Sequence, residues 1–208
     1  MKIALINASP KKTESASSTL INDLRSIFPT DYFVKEFIFN KPLIAEAEIS
    51  ELQEFSIWVF AFSLYVDSLP SHLLSCLCQL EEYNIAKDIR VYAIVNCGFF
   101  EGIQTRNALS IMENWSTRLG LKWGMGIGYG GGGGLSQMQG VPLGKGPKSA
   151  LGKAYAVFGD AIATQSNKEN IYASISVPRF LFKIMAEMYF KNLIKKNGGK
   201  VKDLSRII

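Results

Sequence analysis

One histidine, His72, and three cysteines, Cys76, Cys78 and Cys97, are the only imidazole and thiol ligands in this 208-residue chain. They form no CxxC pair and no even set, so neither a disulfide framework nor a zinc or iron–sulfur site is expected. Free thiols fit a reducing, cytoplasmic compartment. The lone histidine has no partner pattern and reads as a helix surface residue, which also leaves Ser9 without a base to make it a nucleophile. Long apolar runs are missing as well. The longest, around Phe55 to Val66, is interrupted by Ser56 and Ser63 and is too short to span a bilayer. The opening Met-Lys-Ile-Ala-Leu-Ile meets a polar loop too early for a secretory leader. Neither sign of charge dominates, with 23 Lys and Arg against 18 Asp and Glu. Yet Lys183, Lys191, Lys195, Lys196, Lys200, Lys202 and Arg206 crowd the C-terminal segment. This cluster reads as a solvated basic face. Nucleic acid and an anionic membrane, which clustered cations also attract, are not the expected partners.

Glycine is absent where a nucleotide-binding chain often needs it. Ile3 to Ile6 reads as a buried strand, and Asn7 to Ser18 as a loop carrying Ser9, Ser15, Ser17 and Ser18 with Pro10, Lys11 and Lys12. From Thr19, the spacing of Leu20, Ile21, Leu24 and Ile27 is helical. A helix opening straight after a loop presents free N–H groups and its positive dipole end. The lack of glycine excludes both G-x-G-x-x-G and the Walker A loop, whose backbones approach the phosphates closely. Hydroxyl donors suit a terminal monoester phosphate such as that of FMN. The alternative is an ordinary N-capped helix.

Hydrophobic content of 48% with 20% charge describes a globular domain with a full core. Strand and helix patterns alternate, which predicts a parallel sheet covered on both faces. Strands are expected at Tyr32 to Phe39, Ile57 to Phe62, Ile89 to Asn96 and Lys122 to Tyr129. Helices are expected at Glu46 to Phe55, Pro70 to about Tyr83, Gly102 to Gly120 and Ser149 to about Gln165, with a loop over Gly130 to Lys145. The reading is an α/β, doubly wound, five-stranded parallel sheet of order 2-1-3-4-5 over residues 1–166. Residues 167–208 form a C-terminal helical extension, beginning its helix at Val177-Pro178 and packing on the same domain or on a partner subunit.

In such a sheet, ligands bind beyond the carboxyl ends of the strands, where the strand order reverses. Two more loops belong there. Ser63-Leu64-Tyr65-Val66-Asp67-Ser68-Leu69-Pro70 offers a tyrosine and aliphatic side chains to flank a planar ring, with Asp67 or Ser68 as the cap of the next helix. Asn96-Cys97-Gly98-Phe99-Phe100 carries a tight-turn glycine and two loop phenylalanines. The glycines Gly124, Gly126, Gly128 and Gly130 to Gly134 read either as a backbone rim over a ligand or as a mobile loop.

Read together, these segments resemble the flavodoxin-like NAD(P)H-dependent FMN reductases, a broad family that includes quinone, azo and nitro reductases. Ile6-Asn7-Ala8-Ser9-Pro10-Lys11 is similar to the family's I-N-G-S-P-R/K opening, with Ala8 in the glycine position. Ser17-Ser18-Thr19 matches its phosphate-binding cluster, and Leu64 to Pro70 its L-Y-V-D-S-L-P segment beside the flavin. Asn96-Cys97-Gly98-Phe99 resembles its third flavin loop. The resemblance spans about Met1 to Gln165. It implies FMN held by Ser9, Lys11, Ser17, Ser18, Thr19, Ser63, Leu64, Tyr65, Val66, Asp67, Asn96, Cys97, Gly98 and Phe99, with N–H donors of the Leu64–Asp67 loop facing the ring. It further implies NADPH or NADH as co-substrate, a small-molecule electron acceptor and a homodimer. The flavin carries the chemistry, so no side chain is expected to act as acid or base. The alternatives are a flavodoxin-type electron carrier and a flavin-free interaction protein using the basic C-terminal helix.

Overall fold

The computed structural model describes residues 1–11 and 15–202, so Lys12 of the hydroxyl loop and Arg206 of the basic cluster lie outside the described residues. Two compact units are present, Met1–Ile175 and Ser176–Ile208. The first runs β1 (Lys2–Asn7), α1 (Ala16–Arg25), β2 (Phe33–Ile38), α2 (Glu46–Leu52), β3 (Ile57–Ser63), α3 (Ser71–Glu81), β4 (Arg90–Cys97), α4 (Arg106–Arg118), β5 (Lys122–Gly130), α5 (Ser149–Ala163) and β6 (Ile171–Ser174). All neighbouring strands are parallel, in the order β2-β1-β3-β4-β5-β6.

The expected order holds for the first five strands, but the expectation of five is corrected to six. β6 lies past residue 166 and pairs Ile127 with Ile171 through Gly130 with Ser174. Its four residues are too short and too partly exposed to show an apolar pattern. Hydrogen bonds to the backbone of β5 settle its place instead. Gly126 N–H donates to Asn170 Oδ1 at 2.6 Å, Lys168 N–H to the Gly124 carbonyl at 2.9 Å, and Ile175 N–H to the Gly130 carbonyl at 3.0 Å.

Runs that are apolar at successive positions become the central strands, because helices cover both sheet faces. β3 is buried from Ile57 to Phe62, and alternation sends Trp58, Phe60 and Phe62 into one core with Leu73, Leu77, Met112 and Trp115. Both indoles there are satisfied, Trp58 by the Leu52 carbonyl at 3.1 Å and Trp115 by that of Leu77 at 3.2 Å. On the opposite face Tyr92 packs edge-on against Phe158 and donates to the Ala161 carbonyl at 2.8 Å. Tyr155 there donates to the Leu20 carbonyl at 2.9 Å, tying α5 to α1.

The alternate glycines of β5 make room for these layers. A Cβ at Gly128 would lie 2.0 Å from Thr105 Oγ1, and one at Gly130 2.1 Å from the Phe100 carbonyl oxygen. They are close-packing sites rather than a rim.

Element ends differ locally from expectation. α1 starts at Ala16, earlier than Thr19, because Ser15 Oγ accepts the Ser18 N–H at 3.0 Å as its cap. Before α3, neither Asp67 nor Ser68 is the cap; Pro70 holds that position with no side-chain bond. Residues Gly102–Thr105 form a 3-10 turn leading into α4, and Gly132–Met138, expected as plain loop, is 3-10 helical.

The second unit carries α6 (Arg179–Lys196). None of the helix's own residues is classed as buried.

Candidate functional site

Three strands end side by side where the strand order reverses between β1 and β3. Their carboxyl-end loops, with the start of α1 and the loop after β5, enclose a cleft of about 620 Å3 counted to its open mouth.

The loop after β1 supplies Ser9 and Lys11 to the cleft, and α1 supplies Ser15 and Ala16. The loop is folded on itself by short polar bonds. Ser9 N–H donates to Asn7 Oδ1 at 3.3 Å, and Lys11 N–H to Ser9 Oγ at 3.2 Å. Asn7 Nδ2 donates to Ser18 Oγ at 3.1 Å and to Glu36 Oε1 at 3.2 Å. His72, read from sequence as a surface residue, instead places Nε2 3.2 Å from the Ala8 carbonyl and braces this loop from α3. Lys11 is the single cation lining the cleft among the described residues.

Three residues of the expected phosphate cluster are absent from the cleft lining. Ser17, Ser18 and Thr19 do not line the cleft; Ser15 and Ala16 do. Ser18 Oγ is 2.9 Å from Ser15 Oγ, and Thr19 Oγ1 donates to the Ser15 carbonyl at 3.3 Å, so both serve the helix start. Ser17 Oγ is buried with no hydrogen-bond partner among the described residues. Successive helical residues turn about 100° from one another, so consecutive hydroxyls cannot share one face.

The loop after β3 lines the cleft with Ser63, Leu64 and Tyr65. Two of the backbone donors expected to face a ring are taken. Leu64 N–H reaches the Asn96 carbonyl at 2.7 Å, and Tyr65 N–H the Ser68 carbonyl at 3.0 Å. Ser68 N–H returns to the Tyr65 carbonyl at 2.9 Å, closing a two-residue turn whose centre, Val66 and Asp67, has φ of +48° and +57°. Both central φ values are positive, as in a type I′ turn. Val66 and Asp67 are outside the lining, and Val66 is 98% exposed. Their N–H groups have no backbone partner among the described residues.

Asn96, Cys97 and Gly98 form the next wall. Ser63 Oγ donates to Asn96 Oδ1 at 3.2 Å and Asn96 Nδ2 to the Phe62 carbonyl at 3.1 Å, locking the β3 and β4 loops together. Burial pushes the Cys97 thiol up to about 11, so it stays protonated at neutral pH and is no nucleophile. Phe99 is outside the lining and half exposed, while its carbonyl accepts Gly131 N–H at 2.6 Å.

The last wall, Gly132, Gly133 and Ser136, came from the glycine run. Ser136 had no sequence signal. Gly132 packs against Asn96, whereas a Cβ at Gly98 or at Gly133 would meet no atom within 4 Å. Those two glycines therefore border open cleft. A cleft lined by glycine, hydroxyls, a lysine and the start of a helix offers donors and positive charge to an anionic group. No group of three or more His, Cys, Asp or Glu positioned to hold a metal occurs among the described residues.

Neither a protein-family model nor a curated protein matches the sequence. Solved structures do match in shape. The Trp repressor binding protein from Bacillus subtilis superposes with TM-score 0.52 at 13% identity, over 65% of this chain and 96% of that one. An FMN-dependent NADH-azoreductase from Bacillus anthracis, solved in complex with FMN, gives 0.51 at 11% identity over 76% and 99%. RosB, with bound 8-demethyl-8-formylriboflavin-5′-phosphate, gives 0.53 at 12% identity over 78% and 73%. The strand order, with its cleft at the β1/β3 switch, decides the class. The fold is flavodoxin-like. On this flavodoxin-like sheet the three loops singled out in the sequence meet at one edge, and the cleft lies between them.

Proposed function

We propose that this chain is an FMN-dependent oxidoreductase that takes hydride from NADH or NADPH and delivers it to a small acceptor such as a quinone, flavin, azo or nitro compound. The observation that carries the proposal is the two-ended cleft. Lys11, Ser9, Ser15 and the α1 N-terminus gather at the switch point, and the Tyr65, Asn96 and glycine walls continue from them.

When bound, FMN supplies the acceptance and return of a hydride. The chain's own residues hold and orient it. Lys11 and the first-turn N–H groups of α1 neutralise a phosphate. Ser9 and Ser15 add hydroxyl donors, and Leu64 and Tyr65 give one wall against which a ring can lie. The Ser63–Asn96–Phe62 chain of hydrogen bonds fixes the distance between the β3 and β4 loops and hence the slot's width. No protein acid or base is assigned: His72 is committed to the Ala8 carbonyl, and Cys97 is a neutral thiol.

Two measurements test the reading. FMN fluorescence is expected to quench on titration with the purified protein, and the bound flavin to bleach anaerobically with NADH or NADPH. Absence of FMN binding overturns the proposal outright. Binding without bleaching at millimolar nicotinamide overturns the enzymatic half and leaves a carrier.

A further inference from the structure

Behind the hydroxyls of the cleft runs a chain of polar side chains that ends on a carboxylate. Asn7, buried at the end of β1, uses its whole amide. Its Oδ1 accepts the Ser9 N–H at 3.3 Å, and its Nδ2 donates to Ser18 Oγ at 3.1 Å and to Glu36 Oε1 at 3.2 Å. Glu36, on β2, has its other oxygen 3.4 Å from Arg25 Nη2. Ser18 Oγ in turn lies 2.9 Å from Ser15 Oγ, and both Ser15 and Ser9 line the cleft.

We propose that Glu36 and Asn7 are positioning residues for the flavin phosphate: they give this chain one direction and hold Ser15 and Ser9 as donors toward the cleft. This rests on the flavin reading of the cleft. A carboxylate only accepts, so Glu36 is faced by the amide nitrogen of Asn7 and not by its oxygen. That fixes the amide, with Oδ1 turned to the Ser9 N–H and the second Nδ2 hydrogen to Ser18 Oγ. A hydroxyl that accepts becomes a better donor, so Ser18 donates its O–H to Ser15 Oγ. Ser15 Oγ also accepts the Ser18 N–H at 3.0 Å, which fills its acceptor sites and leaves its own O–H for the cleft. Ser9 Oγ accepts the Lys11 N–H at 3.2 Å, and its O–H has no other partner among the described residues. Two donors so held suit a group that carries acceptors alone, such as a fully ionised phosphate monoester.

Charge by itself predicts the opposite outcome, which makes the test sharp. Removing a negative charge near an anion site tightens the anion by Coulomb attraction. Glu36→Gln keeps the side chain's size but offers Asn7 either an oxygen or an N–H, so the direction is lost. It is expected to weaken FMN binding about fivefold, read by fluorescence quenching. Arg25→Gln leaves the carboxylate on Asn7 and is expected to hold FMN affinity within about twofold. Both variants break the same partly exposed ion pair, so a merely structural role would move them alike. FMN affinity that is unchanged or tighter in Glu36→Gln overturns the proposal, as does equal weakening in the two variants. Wild-type protein that binds no FMN overturns the flavin reading and this assignment with it.

Discussion

Val66 holds a conformation that a β-branched side chain avoids. Its φ of +48° is left-handed, and its side chain gains nothing in return because it is almost wholly exposed. Strain of this kind costs on the order of 1–3 kcal/mol and gathers at binding loops. Val66→Gly is therefore expected to raise the thermal midpoint, with a gain of about 1 kcal/mol in urea unfolding. An unchanged or lower stability would show that the turn is unstrained. Gly133 supports a cleaner probe of the cleft. It borders open space and its φ is not positive, so Gly133→Ala is expected to leave the thermal midpoint where it is. The added methyl enters the slot, and FMN affinity is expected to fall about tenfold, as read by fluorescence quenching, since crowding a packed contact costs about 1–3 kcal/mol. Equal affinity in the variant would place the ring elsewhere.

Among the elements, the junction before α5 depends on a single buried cation. Lys148 is fully buried and lies 2.9 Å from Asp23 Oδ2 and 3.1 Å from Oδ1, joining the start of α5 to α1. Its carbonyl accepts the Gly144 N–H at 3.3 Å, so the same residue closes the loop that began at the cleft wall. Removing one partner leaves the other charge buried and unpaired, at a cost of about 3–5 kcal/mol. Lys148→Met is expected to lose about that much in urea unfolding. Adding Asp23→Leu to it is expected to recover most of the loss, because two well-packed apolar groups replace the pair without a stranded charge. If the double variant were no more stable than the single, the stranded-charge account would fail. Neither residue stands out in sequence: a lysine before a helix is ordinary, and only the packing of α1 against α5 makes it a tie.

For the molecule as a whole, the alkaline limb of stability follows from groups the core keeps neutral. Burial raises Cys76 and Cys97 from 9.0 to about 11 and Tyr92 from 10.0 to about 12. Burial also raises Tyr129 and Tyr155. In the unfolded chain these groups lose their protons at ordinary values, while the folded chain retains them. Their contribution is thus fully present below about pH 9 and is lost as the pH climbs toward 12. The urea midpoint is expected to decline across that window, and Cys97→Ala to flatten part of the decline. A midpoint that holds constant from pH 9 to 11 would contradict the burial of these thiols.

The order of elements and the three loops at the sheet's carboxyl edge were legible in the sequence, because buried strands, helical spacing and turn residues are local patterns. Ser9, Lys11, Ser63, Leu64, Tyr65, Asn96, Cys97 and Gly98, all singled out in the sequence, line one cleft. Tertiary structure decided the rest. Whether Ser15 or Ser17 faces the cleft depends on the rotation of α1 about its axis, which its packing against the sheet sets. β6 exists through hydrogen bonds to β5 that four half-buried residues do not announce. The β5 glycines are required by what α4 and its leading turn press against them, a contact between segments distant in the chain. Composition and periodicity report which residues prefer to be buried, while direction and close approach exist only after the layers have met.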